Sequence, residues 1–360
     1  MALTWSSALT WRLRRHRLDD NGADSIEAVV NRLVAVPSWS GDARTAIRLR
    51  LDEAADPDVD AAIAQGRIFG TYAFRGTSHL MTPASAAVHL ALRSAGRQWE
   101  LPSWRTHYGL EPEDWPRLRA TVREALRDGP LTQHELALAV TKDPAYQHLS
   151  DAFDSRSHTL LKPLGWQGDL CFSPGEGATF RSMESIPGWT GVAELEDAGP
   201  RAVRAYLACY GPATVDRLQY WLGEGLSAGR KRISRWIAGL GDALIELVVD
   251  GETTLCLAEH EEEIRTAEPS DAVVLLQGSD QWVLGAGTSD QHVVPAEHRA
   301  SVTRGANLVL VGGRVSGTWT VKGTALRIDW FGAEPSRSAM DAAIERLSQA
   351  MGRDLVPPDA

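Results

Sequence analysis

The sequence predicts an α+β chain of tandem helix-turn-helix units, closed at the C-terminus by a small β-barrel-like domain. Three observations carry this. The pattern Gly-Pro-x-Thr-x-x-x-Leu occurs as "GPLTQHEL" from Gly129 and again as "GPATVDRL" from Gly211, 82 residues later. Each copy follows an amphipathic run and precedes further helical sequence and a pair of short apolar strands. From residue 271 the helical period gives way to apolar stretches broken by glycine.

The elements follow in order. "SALTWRLRRHRL", "DSIEAVVNRLVAV" and "GDARTAIRLRL" read as helices, and "NRLVAVPSWSGD" reads as a helix stopped at Pro37. "RIFGTYAFRGTSHLMT" reads as a hairpin, followed by a helix beginning at Pro83. "WPRLRATVREALRD" leads into the first Gly-Pro copy, where Thr132 is placed to cap the next helix. "SDAFDSRSHTLLKPLG" then reads as a helix and "DLCFSPGEGATFRSM" as a Gly-rich hairpin. The second copy repeats the order, with Thr214 as the cap. Ile233, Trp236, Ile237 and Leu240 recur at helical spacing, and two strands meet at Asp250-Gly251, a favoured hairpin pair. Three helices plus a hairpin is a winged helix. "AVVLLQGSDQWVLG", "ANLVLVGGRVSGTWTV" and "TALRIDWFG" suggest a small curled sheet. "SRSAMDAAIERLSQAMG" is a closing helix capped by Ser336 or Ser338, and "DLVPPDA" a frayed tail. The predicted domains are 1–115, 116–195 and 196–268, each a winged-helix unit, and 269–360.

The net charge of −10 conceals an uneven distribution. Residues 241–300 hold 13 acidic and 2 basic side chains, a balance of −11, so the other 300 positions sum to +1. Segment 1–50 carries +3 and segment 201–240 carries +5. Nucleic-acid binding is therefore compatible with the composition. No apolar run reaches the roughly 18–20 residues of a membrane helix. Cys171, Cys209 and Cys256 form no CxxC pair, which argues against a disulfide framework or zinc site and suits a reducing cytoplasm. His134-Glu135 lacks the second histidine of a zinc-protease motif, and the glycine-rich stretches lack phosphate-loop endings.

Two sets of residues are candidates for DNA contact. Arg75, Thr77 and His79 alternate and would share one face of a strand. They read either as phosphate and backbone contacts or as a polar network within the hairpin. Arg230, Lys231, Arg232 and Arg235 sit in recognition-helix position, as phosphate contacts or as a solvated face. The basic face of "WRLRRHRL" reads as solvated or, if functional, as a phosphate contact.

Together these segments resemble the bacterial winged-helix DNA-binding family that includes the AlkZ-like DNA glycosylases, associated with crosslink and bulky-alkylpurine repair. "RGTSHLMTP" is similar to the family's Arg-x-Thr-x-His-Leu segment. "LLKPLGWQGDLCFSP" resembles its central hairpin entry, and "RAYLACYGPATVDRLQYWLG" its second winged helix. "LLQGSDQWVLG" stands where the family has Leu-Leu-Pro-Gly-Phe-Asp-x-Tyr-x-Leu-Gly, with "VLVGGRVSGTW" following. The resemblance implies double-stranded DNA as partner and N-glycosidic hydrolysis without metal or cofactor; the predicted units are expected to form one concave basic surface in a cytoplasmic monomer.

One departure falls on the expected catalytic motif. Family glycosylases resemble one another in a Gln-x-Gln or Gln-x-Asp just after the helix end, and alignment on "LVAV" puts Pro37 and Trp39 there, with Ser38 between. Proline has no side-chain acceptor and tryptophan only an N–H donor. Trp39 reads as a core aromatic or as a stacking face for a base. Asp42 is the nearest carboxylate, either a helix cap or a substitute acceptor. Asp280 keeps the family's acidic position, as a packed carboxylate or as a second acid facing the pocket. The resemblance thus implies either a glycosylase or a DNA-binding protein on the same scaffold without the chemistry.

Overall fold

Side-chain caps start several of the helices. Thr4, Ser25, Asp42, Thr82, Thr132 and Ser336 each accept a first-turn backbone N–H with their side chain. Thr132 and Glu135 form a reciprocal capping box, and Thr214 accepts the Arg217 N–H at 3.3 Å. The computed structural model describes residues 2–19, 22–175, 177–223 and 227–356. It is a mixed α+β chain that divides into two units: residues 1–59, 203–221 and 237–360, and residues 60–202 and 222–236.

The first unit is centred on a four-stranded antiparallel sheet ordered Ala325–Trp330, Arg314–Lys322, Asn307–Val311, Val273–Leu276. Leu9, Trp282, Trp319 and Leu347 belong to its buried core, which joins the sheet to the helices Trp5–Arg15 and Arg337–Met351. The Trp282 and Trp319 indoles donate to the Gly313 and Leu276 carbonyls, both at 2.9 Å. A second cluster packs Trp5 and Trp11 against the hairpin Leu244–Val249 and Glu252–Leu257. Asp250 and Gly251 both have positive φ, 45° and 84°, as that two-residue turn requires.

The second unit holds the hairpin Phe69–Tyr72 and Ser78–Met81, the helix Pro83–Ser94, and the helices Trp115–Ala125 and Gln133–Val140. A three-stranded sheet, ordered Leu131–Thr132, Thr179–Ser182, Leu170–Phe172, completes it. Further along the chain, the helices Leu195–Tyr210, Val215–Gly223 and Arg230–Gly239 occupy the expected positions.

Several expectations are corrected. The C-terminal sheet is open, since no pairing joins its edge strands among the described residues. "DQWVLG" forms the helix Gln281–Ala286, because Asp280 accepts the Trp282 N–H and starts a turn. The helix expected over 150–165 is two short ones, Ser150–Phe153 and Leu161–Trp166, separated where His158 takes φ 52°. The N-terminal basic face is solvated only in part: Arg14 is exposed, but Arg12 and His16 are buried, and Arg15 donates to the Ala208 carbonyl at 2.9 Å. Of the tail, Leu355 is buried and Val356 donates to the Thr324 carbonyl, while residues 357–360 lie outside the described residues. All three cysteines are buried free thiols. No described helix is long and apolar enough to cross a membrane.

Candidate functional site

The segment around Pro37 is not a simple proline stop. The helix Ile26–Leu33 ends before Val34, which is buried with φ 71° and ψ −44°. A β-branched residue rarely adopts positive φ, so the chain is strained at this turn. Long-range bonds hold it there. The Tyr210 hydroxyl donates to the Leu33 carbonyl at 3.0 Å, and the Gln281 amide donates to the Ala35 carbonyl at 2.6 Å. Val36–Pro37 is then extended, as a residue preceding proline prefers.

The turn Ser40-Gly41-Asp42 faces the Gln277–Gln281 segment. Ser279, itself at φ 62°, donates to the Ser40 hydroxyl at 3.2 Å. Gly41, at φ 72°, lies so close to the Gly278 carbonyl that a Cβ would sit 2.5 Å from it. Pro37, Ser40, Asp42, Gln277, Asp280 and Gln281 line the resulting cleft, which leaves a free volume of about 10 Å³. That is roughly the room one water molecule needs. Pro37 is buried and Ser38 exposed. Trp39 is 49% exposed, so the core-aromatic expectation is wrong: its ring projects to solvent.

Both carboxylates of the cleft are engaged. Asp42 caps the helix Ala43–Arg48, accepting from the Arg44 N–H at 3.0 Å and the Thr45 hydroxyl at 2.6 Å. Asp280 forms a two-pronged pair with Arg50, at 2.7 and 3.0 Å, with both side chains 1% exposed. Its remaining capacity caps the helix Gln281–Ala286.

Arg75, Thr77 and His79 do not share a strand face. Only Ser78–Met81 is strand, and Arg75 sits in a tight turn with φ 54°. Arg75 is exposed and His79 buried. The Thr77 hydroxyl donates to the Phe74 carbonyl at 3.0 Å, and His79 Nδ1 lies 3.1 Å from the Thr77 carbonyl. Thr77 and His79 thus form the internal network, and Arg75 faces outward.

Burial pushes the His79 imidazole from its ordinary 6.5 down to about 4. The unfolded chain therefore takes up the proton first. The neutral ring's contribution to stability is complete above about pH 6.5 and is lost as pH falls through the folded value near 4. Between pH 7.5 and pH 5 this should remove about 2 kcal/mol. Urea unfolding at the two pH values should show the loss, and His79→Gln should flatten it by that amount. An unchanged pH slope in the variant would count against this assignment.

Arg230, Lys231, Arg232 and Arg235 all lie on the exposed side of the helix Arg230–Gly239, with Ile233 and Trp236 turned inward. Arg235 is held by both oxygens of Glu196 at 2.7 Å, and Glu196 also accepts the Trp236 indole N–H at 2.9 Å.

Arg50 and Gln281 were not singled out from sequence. Arg50 carried one signal, a cation inside the apolar run "AIRLRL". Gln281 carried another, an amide directly after the acidic position of "GSDQW".

A family model described as DNA glycosylase AlkZ-like matches residues 30–350. An interstrand DNA cross-link repair glycosylase of Streptomyces sahachiroi is 33% identical over 331 residues, covering 89% of each chain. The solved structure of the Streptomyces sahachiroi DNA glycosylase AlkZ superposes with a TM-score of 0.91 at 31% identity, covering 99% of both chains.

Proposed function

Because the chain belongs to the AlkZ-like DNA glycosylase family, we propose that it acts in DNA repair by binding alkylated or crosslinked purines in duplex DNA. The observation that carries this is Trp39, whose ring is 49% exposed, at the position that the sequence resemblance assigns to the family's polar pair. Every base offers a π-face, so such a ring holds a base by stacking. Three winged-helix units, in 1–115, 116–195 and 196–268, supply the duplex-binding scaffold in this reading. Their support is the repeated order of capped helices and hairpins.

Binding without excision is the better-supported form. Pro37 and Trp39 present no acceptor to orient a water or oppose an oxocarbenium-like sugar. Both cleft carboxylates already hold protein groups. A second reading, excision through Asp42, is favoured by one feature: Asp42 borders a void of about 10 Å³, the size of a water. Incubation with an N7-alkylguanine duplex separates the two. Binding without abasic product supports the first reading. Abasic product that disappears in Asp42→Asn establishes the second. Absence of DNA affinity at low salt would end both.

The exposed basic helix serves phosphate contact. Lys231→Ala should weaken binding uniformly across sequences and reduce the salt slope of log K by about 1. Titrations from low to physiological salt measure it, and an unchanged slope would remove Lys231 from the interface.

A further inference from the structure

The helix Trp5–Arg15 places Trp5 and Arg12 on one face, seven residues and about two turns apart. Both side chains line a cavity of about 220 Å³ within the first unit, with Tyr206, Arg217, Asp290 and His292. Arg12 is 2% exposed. Its Nη2 donates to the Pro212 carbonyl at 3.1 Å. Its Nε and Nη1, and the Trp5 Nε1, are buried without an acceptor among the described residues. These groups only donate, so what completes them must accept.

The charges of the cavity point the same way. Arg217 is engaged by the Ser289 hydroxyl and carbonyl, at 2.7 and 3.1 Å, and lies 3.9 Å from Asp290. Glu252 is paired with His292 at 3.1 Å. Two arginines and two carboxylates line the cavity, and Arg12 is the arginine with no carboxylate within ion-pair distance among the described residues. A buried charge is strongly unfavourable without a counter-charge, and water would meet the hydrogen bonds but not the charge. The wall is flat as well as polar: Trp5 and His292 stack with centroids 4.2 Å apart and planes at 18°.

We propose that this cavity binds a small organic monoanion, a carboxylic acid with a flat apolar body. Its carboxylate takes up the Arg12 and Trp5 donors, and its body lies along the stacked rings. The depth of Arg12 favours a small molecule over a duplex phosphate. The site shares none of its lining with the Pro37 cleft.

Calorimetric titration of the full chain with benzoate, and with benzamide as its neutral isostere, tests this. Benzoate should bind saturably and benzamide at least tenfold more weakly. Trp5→Phe keeps a ring and loses the donor, so it should weaken benzoate several-fold. Arg12→Gln should abolish binding. Should Arg12→Gln fail to fold, the benzoate-to-benzamide ratio and Trp5→Phe decide the matter. No saturable benzoate binding, or equal binding of acid and amide, overturns the proposal. Tighter binding of inorganic phosphate overturns the carboxylate assignment. Strict competition between benzoate and a duplex oligonucleotide overturns it in favour of a DNA phosphate.

Discussion

Arg50→Met should destabilise the first unit by about 3–5 kcal/mol, the usual cost of removing one partner from a buried ion pair. The reason is geometric. The Asp280 side chain is buried and its pair with Arg50 spans 230 residues of sequence, so removing the guanidinium leaves a buried carboxylate without its counter-charge. Asp280 also starts the helix Gln281–Ala286, whose first residue holds the Ala35 carbonyl. For a unit of this size the unfolding midpoint should fall by roughly 6–20 °C. Asp280→Leu combined with Arg50→Met should recover much of the loss, because two apolar groups leave no buried charge behind. A single variant within 1 kcal/mol of the parent would show that the pair does not carry the cleft.

Trp39→Ala should lower affinity for alkylated duplex DNA by about 10–100-fold, the range expected for losing one base-stacking ring. Its stability should barely change, since the ring is 49% exposed. Trp39→Phe should retain most of the binding. Affinity for lesion-bearing and undamaged duplexes, measured side by side at one salt concentration, reads the effect directly. If Trp39→Ala binds both within twofold of the parent, stacking at this position is not how the protein holds a lesion.

The site was legible in uneven measure. Asp42 as a cap could be read from sequence, because a cap needs only residues two or three positions on. The exposed face of Arg230, Lys231 and Arg232 followed from helical period, with Ile233 and Trp236 marking the inner side. The alternation of Arg75, Thr77 and His79 misled, since Arg75 lies in a positive-φ turn rather than in the strand. The basic N-terminal helix misled for another reason. Arg12 and Arg15 find carbonyl acceptors near residue 210, and no local pattern shows these.

By itself, the sequence determined where most helices and hairpins lie and that neither Pro37 nor Trp39 offers a side-chain acceptor after the first apolar helix end. Caps, turn residues and apolar period act through neighbours a few positions apart, so the local chain suffices to specify them. Only the tertiary structure decided that Trp39 faces solvent, that Asp280 is bound by Arg50 and that Val34 is held in a strained turn. The last two depend on groups that meet from some 180 to 250 residues away. Burial and pairing there are set by which distant surfaces close on one another, and no local period encodes that.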